Sequence, residues 1–278
     1  MKLANKLEEF SRLISKKSKD CLASIHIDMA GLIRLGETSE EMLESFNQLI
    51  IRAESMGGNI MIPTFSYTYP KKVPFSLLET PSEVGIVTEY VRKRNPLKRT
   101  ADGMFSYLLF DNNQKAGFFD IVDYETFGDN SLIGELFNSN GYICCVGDVF
   151  HNTPTEVHFL ERLLQVSYRS NKTMSGEIID CEGESHFQNI LFYCRNLDTN
   201  LESDMTRLEM DLHRENYFEY WEIDGLDFKI EAVRIKNIFK LLKNKLINNP
   251  LYLCSSREDK KINWRKRNKQ IQFIKFVL

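Results

Sequence analysis

The stretch that most constrains the fold is the short apolar run Tyr142-Ile143-Cys144-Cys145-Val146, preceded by the turn pair Asn140-Gly141 and followed by polar Gly147-Asp148. A brief, continuous apolar run bounded by turn signals reads as a buried strand. The loop beyond it leads to Thr153-Pro154, which has the form of a helix start, Thr153 as N-cap and Pro154 at the first helical position. A strand feeding a polar loop and then a helix is where open α/β sheets place their chemistry. His158 and Glu161 follow three residues apart on one helix face, so an imidazole stands beside a carboxylate that can orient it. On spacing alone such a pair is more often surface decoration or a satisfied core pair.

The rest of the first half alternates. Leu3 to Ser18 carries Leu7, Phe10, Leu13 and Ile14 at helical spacing, and Cys21 to Ile27 reads as the first strand. Thr38 opens a second helix as its cap, with Met42, Phe46, Leu49 and Ile50 as the buried face, ending near Met56 before Gly57-Gly58-Asn59. Asn59 to Pro63 is a strand from which Thr64-Phe65-Ser66-Tyr67 emerges. Residues 68–82, with three prolines, form a long loop. A helix runs from Pro81-Ser82 through Val91, a strand from Met104 to Phe110, and a helix capped by Asn130 or Ser131 reaches Asn138. Strand, helix and strand in alternation imply parallel pairing with right-handed crossovers. The expected fold is α/β, an α/β/α sandwich with a central, mostly parallel sheet and an elaborated C-terminal half. Residues 1–175 form the core and residues 176–278 an elaboration of the same domain.

That second half reads less clearly. Met174 to Cys181 and Ser185 to Cys194 read as strands or a hairpin, and helices span roughly Asn200 to Glu215 and Ala232 to Asn248. Between the helices, Tyr217 to Trp221 and Asp224 to Asp227 are aromatic and acidic like a sugar-binding rim, with core packing as the default reading.

A 278-residue chain with 42% hydrophobic and 27% charged residues has the balance of an ordinary globular enzyme. No stretch approaches the length of a membrane span, and the charged N-terminus does not resemble a signal peptide, so a cytoplasmic protein without membrane partners is expected. Six cysteines lack zinc-type spacing and read as reduced and mostly buried; no metal is expected. Net charge is -3, unevenly spread: Arg257 to Lys275 holds eight basic residues against two acidic ones, leaving -9 for the remainder. This segment could grip phosphates while Trp264 stacks on a base. A solvated basic tail is the simpler account, and nucleic acid is not expected as a partner.

Several segments together resemble the aminoglycoside 3-N-acetyltransferase family. Thr155-Glu156-Val157-His158-Phe159-Leu160-Glu161, followed by Tyr168-Arg169, is similar to that family's Thr-x-x-His-x-x-Glu segment. Ser24 to Met29 with Gly36, Ile60 to Ser66, Thr80 to Glu89 with Arg92 and Arg99, and Phe127 to Ile133 match in the same order. The family's His-Pro pair is missing from Arg99-Thr100-Ala101-Asp102-Gly103-Met104-Phe105-Ser106, and after about residue 180 no segment matches. The resemblance implies a coenzyme A-dependent N-acyltransferase. Its coenzyme A and acyl site would be bordered by His26 and Asp28, with Thr64, Ser66, Arg99 and Ser106 as further cofactor-binding candidates. A satisfied core histidine remains the other reading of His26.

On this reading His158 removes the proton as an amine attacks the acetyl-coenzyme A thioester, Glu161 orients the imidazole, and the Thr155 hydroxyl donates to the thioester oxygen or sulfur. Cys144 and Cys145 sit in an apolar strand that disfavours a thiolate, and no Gly-x-Ser-x-Gly elbow occurs. With 36 basic and 39 acidic residues the chain offers little long-range attraction for a polycation. The expected acceptor is therefore a nucleotide-linked amino sugar of surface-glycan biosynthesis. An aminoglycoside is the alternative acceptor, and a non-catalytic coenzyme A- or partner-binding relative is the third reading. Homo-oligomerisation is left open.

Overall fold

Alternate side chains of Tyr142–Val146 enter two different cores, Ile143 and Cys145 on one face and Tyr142, Cys144 and Val146 on the other. A strand apolar on both faces needs helices on both sides. The computed structural model, which describes residues 3–111, 116–152, 154–196 and 200–277, supplies them. Helices Leu3–Ser18, Ser39–Ser55 and Ile86–Arg94 place Phe10, Ile14, Phe46, Ile50 and Val91 against one face. Helices Leu132–Asn138, Val157–Leu163, Thr206–Arg214 and Ile235–Asn248 place Leu136, Leu160, Leu212 and Ile238 against the other. The α/β/α sandwich is therefore present. Among the described residues no helix is long and apolar enough to cross a membrane.

The six-stranded sheet runs, edge to edge, Phe218–Trp221, Ile230–Arg234, Tyr142–Val146, Ala23–Ile27, Ile60–Pro63, Tyr107–Phe110. The strands Tyr142–Val146, Ala23–Ile27 and Ile60–Pro63 are mutually parallel, with Ala23 opposite Tyr142 and Ile27 opposite Val146, whereas Ile230–Arg234 and Tyr107–Phe110 pair antiparallel with their neighbours. Parallel pairing is thus confined to the centre of a mixed sheet. Two of the six strands come from beyond residue 175, so the C-terminal half completes the core as well as elaborating it.

A second, four-stranded sheet is built on the hairpin Arg169–Ile179 and Ser185–Arg195, in register from Arg169 opposite Arg195 to Ile179 opposite Ser185. Its turn is held by Asp180, whose Oδ1 accepts from the backbone of Glu182 at 3.0 Å and Glu184 at 2.8 Å. Phe75–Ser76 adds to one edge and Tyr124–Glu125 to the other, which orders part of the proline-rich loop.

Local chemistry explains the element ends. Thr38 and Glu41 form a complete capping box, and Ser131 Oγ accepts from Gly134 N at 3.0 Å. Thr153 lies outside the described residues. The regular helix after it begins at Val157, because Pro154 to Glu156 form a preceding turn closed by Val157 N donating to Pro154 O at 3.0 Å. The helix expected from Pro81 starts at Ile86, after Gly85 with φ of 139°. The one expected from Asn200 starts at Thr206, whose backbone N–H donates to Asp204 Oδ1 at 3.1 Å. Ala232 to Arg234 belong to a strand, and the helix begins only at Ile235; a short β-branched run at the junction satisfies either period. For Trp221 the default reading of core packing applies. Trp221 is buried edge-on against Tyr142 with ring centroids 4.9 Å apart, so this aromatic fills the core.

Trp221→Ala should cost about 3–5 kcal/mol of stability, measured as the shift in urea midpoint at unchanged slope.

Candidate active site

Glu161 is 1% exposed and meets two hydrogen-bond partners and one cation. His158 Nδ1 lies 2.6 Å from its Oε2, Arg169 Nε also lies 2.6 Å from Oε2, and Tyr168 OH donates to Oε1 at 2.7 Å. The acid comes from the helix Val157–Leu163, while Tyr168 and Arg169 come from the start of the hairpin. A carboxylate accepts only, so Nδ1 of His158 carries the proton and Nε2 presents its lone pair. Arg169 Nη2 donates to that Nε2 at 3.3 Å and to Ser203 Oγ at 3.2 Å. Burial and the Arg169 cation lower the pKa of His158 against the opposing pull of Glu161, so the ring is neutral at neutral pH. Burial alone would raise Glu161, but the His158 ring and Arg169 outweigh it and keep the carboxyl below its usual range. The result is a neutral, oriented base.

The Phe127 ring meets the imidazole edge-on at 5.8 Å and continues through Phe105 to Phe65, an aromatic wall on one side. On another side His158 and Thr155 line a cavity of about 310 Å³ with His151, Arg195, Ser203 and Lys260. A second cavity of about 450 Å³ shares His151, Asn152, Glu202 and Lys260 with it and extends along Arg257, Lys261, Trp264 and Arg265.

Most of the residues expected to bind the cofactor are engaged internally. His26 is 2% exposed, its Nε2 2.8 Å from Oε2 of Glu156, whose Oε1 also accepts from the Ser24 hydroxyl and from Tyr107 OH at 3.1 Å. Burial would raise Glu156, but the His26 ring and the Ser24 hydroxyl hold it below its ordinary value. This is the satisfied core histidine. Asp28 caps a short turn of helix, accepting from Gly31 N at 2.8 Å. Arg99 is 2% exposed and donates to Ser106 Oγ at 3.0 Å, to Thr64 O at 2.7 Å and to Thr80 O, its guanidinium lying over the Phe75 ring. Ser106 Oγ in turn donates to Thr64 O at 3.0 Å, Thr64 Oγ1 to Ser106 O at 3.1 Å, and Ser66 Oγ to Gly103 O at 3.2 Å. These groups tie two strand ends to the loop between them, and their burial leaves no open face for a phosphate. Arg92 and Arg94 are paired with Glu89 and Glu44. Of the residues singled out from the sequence, Thr155, His158 and Glu161 come together. His26, Asp28, Thr64, Ser66, Arg99 and Ser106 serve the framework in this arrangement.

Asp102, in the segment that lacks the family's His-Pro pair, is buried and shapes its own turn: Oδ1 accepts from Met104 N at 2.9 Å and Phe105 N at 2.7 Å, Oδ2 from Thr126 Oγ1 at 2.6 Å. Burial pushes the thiols of Cys144 and Cys145 well above their ordinary value, in keeping with a strand role. Asp148, His151 and Glu209 hold ligand atoms within 4.8 Å of one another, but the Arg267 guanidinium already pairs with both carboxylates.

Sequence reasoning passed over Glu156, whose partners lie about 130 positions earlier in the chain. It also passed over the charge that Arg169 brings to the base; only its place after Tyr168 marked it. Arg195 enters the cavity because the hairpin register sets it opposite Arg169.

Two stability measurements test the framework roles. Glu156→Ala, which strands His26, should cost about 3–5 kcal/mol. Because the folded carboxyl titrates below its ordinary value of 4.5, the wild-type contribution should be complete above that pH and fade as pH falls through the lower folded value, seen in urea midpoints against pH. Arg99→Lys should lower the melting temperature, since one ammonium cannot reproduce the planar fork, while leaving coenzyme A affinity of the folded protein within about twofold, less than 0.5 kcal/mol.

A sequence search among curated proteins finds no match. Solved structures of similar fold include the aminoglycoside acetyltransferase AAC(3)-IVa in complex with apramycin, at 15% identity and a TM-score of 0.64, covering 89% of this chain and 94% of that one. AAC-IIIb in a binary complex with CoASH is 13% identical at a TM-score of 0.62, covering 87% and 95%. The YokD protein from Bacillus subtilis is 13% identical at 0.61, covering 86% and 93%. The model of the aminoglycoside 3-N-acetyltransferase family matches residues 25–245, which contain the His158–Glu161 pair, and the chain belongs to that family.

Proposed function

We propose that the chain moves an acetyl group from acetyl-coenzyme A to the amine of an amino sugar by direct attack, with His158 as general base. Family membership makes it an N-acetyltransferase, and the neighbour solved with CoASH supports coenzyme A as cosubstrate. The observation that carries the mechanism is the 2.6 Å contact between His158 Nδ1 and a buried, charged Glu161, which leaves Nε2 as the proton acceptor.

The amine nitrogen forms a bond to the thioester carbon as its proton passes to Nε2. The C–S bond then breaks, and sulfur leaves with the proton returned by the imidazolium. Glu161 stabilises the transient cation. Thr155, on the wall of the same cavity, donates its hydroxyl to the developing oxyanion. Arg169 Nη2 donates to the nitrogen that must take the proton, so the attacking amine replaces this hydrogen bond with its own.

For the acceptor, the family and the apramycin-bound neighbour support an aminoglycoside-type amino sugar. A cavity of about 700 Å³ lined by Asp123, Glu125 and Asp129, beside Arg162 on the helix that carries His158, has the charge a polycation would seek. A nucleotide-linked amino sugar is the second reading, favoured by the cations Arg195, Arg257, Lys260, Lys261 and Arg265 around the cavities that reach His158.

His158→Ala should lower kcat by about 10²–10⁴, followed as free-thiol release from acetyl-coenzyme A with apramycin and with nucleotide-linked amino sugars, in protein shown by its circular dichroism to be folded at the assay temperature. Protonation silences the base, so the acid limb of kcat/KM should lie below the ordinary imidazole value of 6.5. Arg169→Gln removes the depressing cation and should move that limb upward; a limb that stayed in place would take Arg169 out of this role.

A further inference from the structure

The helix Arg257–Val277 lies beyond the family-matched residues 25–245 and is not a solvated tail. One of its faces is anchored: Asn263 Nδ2 donates to Asp204 Oδ2 at 2.8 Å, and four residues on Arg267, 2% exposed, reaches Asp148 Oδ2 at 2.9 Å and Glu209 Oε1 at 2.7 Å. Asp148 belongs to the loop after the central strand, so the helix is tied to the loop that leads to His158. Its other face carries Arg257, Lys260, Lys261, Trp264 and Arg265, at spacings of three and four, which line the cavity of about 450 Å³. Lys260 and Glu202 are common to this cavity and to the one containing His158, so the two adjoin. Glu202, paired with Arg257 at 2.8 Å, is the sole carboxylate lining either cavity among the described residues.

We propose that this cleft binds a phosphorylated nucleoside, its base on Trp264 and its phosphates among Lys260, Lys261 and Arg265, with the rest of the ligand running toward His158. Trp264 is 48% exposed although it lines a cavity, which leaves an indole face available for stacking. Three cations at helical spacing beside it match a pyrophosphate or a bisphosphate, and repel a polycationic aminoglycoside. Two molecules share this chemistry: coenzyme A, through its adenosine 3',5'-bisphosphate and pyrophosphate, and a nucleotide-linked amino sugar. The inference rests on His158 as the catalytic base for the direction in which the ligand runs, but binding in the cleft does not require turnover.

The test follows tryptophan emission of the full chain during titration with coenzyme A, adenosine 3',5'-bisphosphate, uridine diphosphate and apramycin. Trp221 is 1% exposed, so a saturable change that Trp264→Phe abolishes reports the cleft. The double variant Lys261→Glu, Arg265→Glu alters two exposed side chains and should weaken nucleotide binding about tenfold or more, at an unchanged melting temperature. Response to coenzyme A and the bisphosphate, with uridine diphosphate silent, assigns the cleft to the cosubstrate; response to uridine diphosphate with coenzyme A already bound assigns it to the acceptor. Either supports the proposal. Silence to all nucleotides, an affinity unmoved by the double reversal, or a response to apramycin alone overturns it. His158→Ala should keep the nucleotide response while losing turnover, so a failure of the base assignment and a failure of the cleft show separately.

Discussion

The buried carboxylate of Glu161 is the interaction on which the arrangement around His158 depends. Removing a charge from water costs several kcal/mol unless other groups replace the solvent, and here an imidazole, a phenol and a guanidinium do so. Each donor has a second consequence. His158 has its tautomer fixed; Tyr168 and Arg169 bring the start of the long hairpin against the helix; Arg169 then reaches Ser203 beyond the hairpin. One charge therefore joins three parts of the chain. The same guanidinium that compensates Glu161 also disfavours the imidazolium, and the balance between the two sets how strong a base His158 is.

A second buried carboxylate, Glu156, stands two residues before His158 and is occupied by side chains of the central sheet. Ser24 and His26 come from the strand Ala23–Ile27 and Tyr107 from the edge strand Tyr107–Phe110. The helix that carries the base is thus fastened to the sheet by one carboxylate and to the hairpin by another. Within Thr155 to Glu161, the alternation of inward Glu156, cavity-facing His158 and inward Glu161 separates attachment from chemistry.

What could be read from the sequence was what neighbouring residues decide. The strand Tyr142–Val146, the cap at Thr38 and the His158–Glu161 pair follow from turn signals and periodicity over a few positions. What could not be read depends on partners far away in the chain. Nothing near His26 shows that Glu156 will meet it, so a strand-end histidine looked as available to a cofactor as any other. Arg99 was recognisable as a cation in a cluster, but the carbonyls that absorb it belong to Thr64 and Thr80. Ala232 to Arg234 satisfied a helical pattern until pairing with Tyr142–Val146 decided for a strand. A near-zero net charge also hid two cavities of opposite sign, one with Asp123, Glu125 and Asp129, the other with Arg257, Lys260 and Lys261. Local field depends on where charges sit, and the sum of a composition does not carry that.

Arg267 gives the site an order of assembly. Domains fold as units while the chain emerges from its N-terminal end at about 5–20 residues per second. His158, Glu161, Tyr168 and Arg169 are all made some hundred residues before the guanidinium that seats the last helix on Asp148 and Glu209. The residues of the imidazole and its carboxylate therefore leave the ribosome about a hundred positions ahead of the cation-bearing wall, and the strands Phe218–Trp221 and Ile230–Arg234 must arrive between them before the central sheet is complete.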